Sequence, residues 1–108
     1  MEGAWTGTST QVRPSCGSGN RCYYSLTLQL HDDRGTLTGE GPAEITYTGT
    51  RDSDGTVVLH ASRPGVDPWT LIGALSADGK TFSADQFTGT ATSVPTAGYL
   101  EHVVVTHQ

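Results

Sequence analysis

Tyr24-Ser25-Leu26-Thr27-Leu28-Gln29-Leu30-His31, then Asp32-Asp33-Arg34-Gly35, then Thr36-Leu37-Thr38-Gly39, is the stretch on which the fold turns. Tyr24, Leu26, Leu28 and Leu30 occupy every second position, with Ser25, Thr27 and Gln29 between them. A period of two puts the apolar set on one face of a strand and the polar set on the other, the one-sided burial of an antiparallel sheet. The Asp-Asp-Arg-Gly that follows predicts a tight hairpin. Asp tolerates the left-handed region and bonds nearby amides, and Gly has no Cβ to clash there.

The same punctuation returns at Asp52-Ser53-Asp54-Gly55 and at Ala77-Asp78-Gly79, with longer breaks at 14–21, 64–68 and 93–98. Between the breaks the pattern predicts eight strands, over 4–12, 23–31, 36–39, 43–50, 56–62, 69–76, 81–90 and 99–106. Val57, Leu59 and Ala61 share a face, as do Trp69, Leu71 and Leu75. The same phasing sends Trp5, Leu37, Ile45, Tyr47 and Phe82 inward. Gly7, Gly39, Gly49 and Gly73 fall on this inner face. They are read as letting strands coil around a narrow barrel rather than as room for a ligand. Seventeen threonines favour strands through their branched Cβ, and no segment carries the spacing of an amphipathic helix. A single lysine would guard open sheet edges poorly, which favours closure. The expected fold is all-β: one domain, residues 1–108, forming an eight-stranded antiparallel up-and-down (meander) β-barrel.

Two strands leave their phase open. Phe82 and Ala84 have one parity and Phe87 and Gly89 the other, so a β-bulge near Asp85-Gln86 is expected. In the last strand, either Glu101 or His102 points inward, depending on which of its two apolar sets is buried.

The net charge of −5, with five scattered arginines, lacks the clustered positive field that nucleic-acid binding needs. No apolar run approaches the roughly 18 residues of a membrane span. Met1-Glu2-Gly3 leads straight into strand sequence and is read as an initiator methionine on a trimmed mature domain. Cys16 and Cys22 enclose five small or polar residues. The spacing is not Cys-x-x-Cys, and two cysteines do not complete a zinc site, so a structural disulfide is expected over a redox or metal pair. A disulfide points to an oxidising, extracytoplasmic compartment.

Gly3-Ala4-Trp5 at the head of such a meander, with Thr-Gly-Thr at 6–8, 48–50 and 88–90 and Leu37-Thr38-Gly39-Glu40-Gly41, resembles the calycins, the lipocalin and avidin-like barrels. It is most similar to the small Thr/Gly-rich barrels of bacterial envelope lipoproteins. The resemblance implies a periplasmic, lipid-anchored or secreted barrel that holds a ligand, with Trp5 plugging the closed end. The Thr-Asp-Tyr motif of lipocalins, an arginine late in the chain to stack on Trp5, and the polar set by which avidins grip biotin are absent. Biotin, retinoids and haem are therefore not implied.

Chemistry is sparse. No serine has a Gly-x-Ser-x-Gly context. His31 beside Asp32-Asp33 reads as a solvated corner rather than a metal ligand, and Asp52-Ser53-Asp54-Gly55 lacks the later ligands of a calcium loop. No catalytic residue, metal or cofactor is expected. The aromatics say more: Tyr23, Trp69 and Tyr99 begin even-numbered strands, whose starts share one end of a meander. The expected function is therefore the binding of a small hydrophobic or aromatic molecule at one mouth. Tyr24, Tyr47, Trp69, Phe87 and Tyr99 would supply surface, and Glu101 or His102 a polar anchor. The alternatives are a solid-cored, inhibitor-like module that meets a protein partner, a barrel enzyme of cyclase or isomerase type, and an engineered barrel.

Overall fold

The structure, a computed structural model, describes residues 1–12, 16, 21–95 and 101–108. Its strands are β1 (Gly3–Val12), β2 (Arg21–Asp33), β3 (Thr36–Glu40), β4 (Thr46–Arg51), β5 (Thr56–Arg63), β6 (Val66–Leu75), β7 (Thr81–Thr88) and β8 (Glu101–His107). Each pairs antiparallel with its sequence neighbour, and β8 returns to β1, so the sheet closes as an eight-stranded up-and-down barrel. Every strand has a neighbour on both sides, although β3 pairs only the Gln29–Asp33 part of β2.

The hairpin between Asp33 and Thr36 is a two-residue turn. Arg34 and Gly35 both take positive φ, 54° and 92°, the turn whose twist matches its flanking strands. At Asp52–Gly55, the Gly55 amide donates to the Asp52 backbone carbonyl and the Asp54 carboxylate accepts from the Thr56 amide, so the Asp54 side chain serves a turn.

The alternating residues meet inside. Trp5, Leu28, Leu30, Leu37, Tyr47, Val57, Leu59, Ala61, Leu71, Phe82, Ala84, Val103 and Val105 form one buried cluster. The inner-face glycines are required by backbone approach. A Cβ at Gly7, Gly49 or Gly73 would lie 1.9 Å from the carbonyl oxygen of Val104, Val58 or Ser83 on the neighbouring strand. They let the sheet coil tightly and open no space for a ligand.

The bulge falls elsewhere than the sequence suggested. The registers of β7 with β6 and β8 run unbroken through Asp85 and Gln86. The irregularity lies between Ala61 and Arg63 of β5, where Ala61 pairs Trp69 but Arg63 pairs Val66. One residue, Ser62, thus faces two, Asp67 and Pro68. Pro68 has no N–H to give a ladder, and a bulge is where a sheet tolerates it. For the same reason β6 starts at Val66, after a tight Pro64-Gly65 turn, rather than at Trp69. Because β7 is unbroken, Phe87 points outward.

The end of the barrel away from Cys22 is sealed. Trp5 is fully buried, its Nε1 donates to the Met1 carbonyl at 3.0 Å, and His107 meets its ring edge-on at 5.1 Å. His107 occupies the flank where the resemblance would have put an arginine. Beside it, Asp32 accepts hydrogen bonds from the Met1 ammonium, from Arg51 and from the Gly35 amide. Arg51 and these other donors hold its carboxyl well below the usual carboxylate range.

Candidate functional site

Among the described residues, the other end is open. The strand ends that meet there carry the disulfide between Cys16 and Cys22, whose Cα atoms are 5.1 Å apart, and the Pro64-Gly65 turn. Inside this mouth is a cavity of about 330 Å³. Its wall divides by chemistry. Tyr24 and Leu26 from β2, Ile45 and Tyr47 at the head of β4 and Trp69 from β6 make an apolar, largely aromatic side. Ser9 and Gln11 from β1, Glu101 from β8 and Gln86 from β7 make a polar side, with Arg63 at the rim.

The polar side follows from register. Gln11 pairs Glu101 across β1 and β8, and Glu101 pairs Gln86 across β8 and β7. Directly opposed residues of a ladder point to the same face, so the three form one row around the inner wall. Glu101 Oε2 accepts from Gln86 Nε2 at 2.8 Å and from Ser9 Oγ at 3.5 Å. Gln11 Oε1 is buried without a hydrogen-bond partner. On the aromatic side Tyr47 is almost wholly buried, and desolvation pushes its phenol up to about 12, so it stays neutral at any physiological pH. Tyr24 is 48% exposed and stands at the rim.

Of the residues expected to bind, the structure brings together Tyr24, Tyr47, Trp69 and Glu101. The last strand resolves in favour of Glu101: Val103 and Val105 are the buried set, and their parity carries Glu101 inward. His102 is outward, its side chain 57% exposed and 3.5 Å from Asp85. Phe87 is also outward, across the ladder from Thr70, and both are buried on the outer wall. There the Thr70 hydroxyl donates to the Gly89 carbonyl at 2.6 Å, so it accepts from His60 Nδ1 at 3.0 Å. Its one proton can serve only one of them. Tyr99 lies outside the described residues.

Ser9, Gln11, Arg63 and Gln86 are site residues that sequence reasoning passed over. Counting by twos from Trp5 reaches Ser9 and Gln11, and from Phe82 reaches Gln86, so period alone could have found three of them. A groove of about 390 Å³ on the outer wall, beside Thr6, Thr27 and Gln108, is larger. Its one carboxylate, Glu40, is exposed, and no buried atom there waits for a partner.

Among the described residues, no group of three or more His, Cys, Asp or Glu side chains is placed to hold a metal ion. His31 instead stands between Glu2, 3.3 Å from its Nδ1, and Glu40, 3.8 Å from its Nε2. No helix among them is long and apolar enough to cross a membrane. No protein-family model, curated protein or solved structure matches the chain.

Proposed function

We propose that this chain is a calycin-like binding barrel that works outside the cytoplasm and holds a small hydrophobic or aromatic molecule at its open mouth. The observation that carries this reading is the two-sided cavity, where Tyr24, Tyr47 and Trp69 face a row of polar groups centred on Glu101. Its roughly 330 Å³ lies at the small end of the range for ligand pockets. The buried Trp5 at the sealed end of a closed meander supports the calycin likeness. The Cys16–Cys22 disulfide supports an oxidising compartment.

Native mass spectrometry of the oxidised chain, after exposure to lipid and metabolite extract from a bacterial envelope, tests the reading. A reproducible adduct that is lost in Trp69→Ala supports it. A bare mass across several extracts overturns it. The search would then turn to a protein partner meeting Tyr23, which is 63% exposed beside the disulfide.

A further inference from the structure

β2 outruns its neighbour on one side. It pairs β1 from Arg21 to Leu30, whereas β3 pairs only Gln29 to Asp33 and ends at Glu40. Among the described residues, no strand covers that side of β2 from Arg21 to Leu28. The carbonyl oxygens of Gln29 and Thr27 turn toward this side, where they lie against Gly39 and Gly41. Backbone groups alternate in direction along a strand, so Tyr23 and Ser25 aim their N–H and C=O the same way, beyond Gly41.

An open edge is a template for another strand, and proteins usually guard one with charge, proline or a bulge. Cys22 to Leu30 contains no charged residue and no proline, and its register with β1 is unbroken. Tyr23 and Tyr24, 63% and 48% exposed, stand on it together. Tyrosine is enriched where proteins meet.

Charges at the two ends of the edge select the occupant. Arg21 is exposed at its start, and Glu40, with its side chain 61% exposed, stands opposite Gln29 at the other end. Arg21 and Gln29 share a parity, so Arg21 and Glu40 both lie on the outer face. Consider a second copy laid antiparallel, with a twofold axis through Tyr24. Tyr23 of each copy then faces Ser25 of the other, and their edge-facing backbone groups exchange hydrogen bonds. Arg21 of each falls opposite Thr27 of the other, the next outer-face position to Glu40. Opposite charges so meet twice by symmetry. The net charge of −5 on each copy opposes association from a distance, where salt screens it.

We infer that this edge joins two copies of the chain by antiparallel β2–β2 pairing, with Arg21 of each beside Glu40 of the other. Tyr24 of both copies meets at the axis, so the rims of the two mouths adjoin. The pairing is independent of the binding function above.

Sedimentation velocity of the oxidised chain, from micromolar to sub-millimolar concentration, reads the association. The natural chain should form dimers as concentration rises, and Ser25→Pro should stay monomeric. That substitution removes a donor that faces the edge, a place where strands tolerate proline. Arg21→Glu or Glu40→Arg alone should weaken the dimer about five-fold, as for exposed charge pairs, and the two together should restore it. A natural chain that stays monomeric throughout overturns the inference and leaves the edge to an extended segment of another protein. A dimer that survives Ser25→Pro overturns it in favour of another surface. A dimer lost in Ser25→Pro but indifferent to the charge variants overturns the axis through Tyr24. Should Ser25→Pro fail to fold, hydrogen exchange of the natural chain decides. The Tyr23 and Ser25 amides should exchange more slowly as concentration rises, and unchanged exchange there overturns the inference.

Discussion

Arg51 grips Asp32 with two hydrogen bonds, Nε to Oδ2 at 2.8 Å and Nη2 to Oδ1 at 3.2 Å. The pair ties β4 to the end of β2 at the sealed end of the barrel, and the Asp32 side chain is nearly buried there. Its carboxyl is held below its ordinary value, so the folded chain gives up this proton more readily than the unfolded chain does. The stabilisation is present above an unfolded value of about 3.9 and is lost as pH falls below it toward the depressed folded value. Asp32→Asn should lower stability at neutral pH by about 1.5–3 kcal/mol, as for hydrogen bonds to charged groups. Its deficit against the natural chain should shrink toward pH 2. Urea denaturation from pH 7 to pH 2 checks this, and a deficit that stays constant with pH would show that packing, not charge, is responsible.

Trp5 should be the costliest aromatic to lose. It is fully buried, and it joins the hydrophobic core to Met1 and His107 at the sealed end. Trp5→Ala should cost about 3–5 kcal/mol, the usual range for large core truncations. Trp5→Phe should cost less, since it keeps most of the packing and loses the donor to the Met1 carbonyl. An unchanged melting temperature in Trp5→Ala would refute the register of β1.

Gly49→Ala tests what the inner glycines do. The new methyl would sit 1.9 Å from the Val58 carbonyl oxygen, a backbone atom that no side-chain rotation can move. The expected loss is about 3 kcal/mol, at the upper end of overpacking costs. A variant of natural stability that binds ligand more weakly would instead mean that glycine makes room in the cup.

Phe87 and His102 should be dispensable for binding. Both point away from the cavity, and they differ only in burial. Phe87→Ala should cost about 3 kcal/mol of stability, as for a buried aromatic. His102→Ala should fall within about 0.5 kcal/mol, as surface changes do. Neither should change ligand affinity in a folded variant. Loss of binding in folded Phe87→Ala would mean that β7 changes phase after all.

The amino-acid sequence by itself determined the strands, their order and most of the core. The reason is that period-two alternation and Asp/Gly turns are local properties. Tyr24 to Leu30 can bury one face in only one phase, and the turns leave each strand beside its predecessor. The aromatic side of the cup follows from the same arithmetic, because even-numbered strands begin at one end. The tertiary structure decided where two phases compete. Glu101 and His102 are equivalent in the local pattern of β8, and only pairing with β1 and β7 turns Glu101 inward beside Gln11 and Gln86. The bulge was placed by Pro68, whose missing N–H matters only once β5 lies alongside it, and so Phe87 faces outward. The polar row of Gln11, Glu101 and Gln86 is drawn from three strands. Cross-strand register is a long-range relation, and no single stretch of the chain contains it.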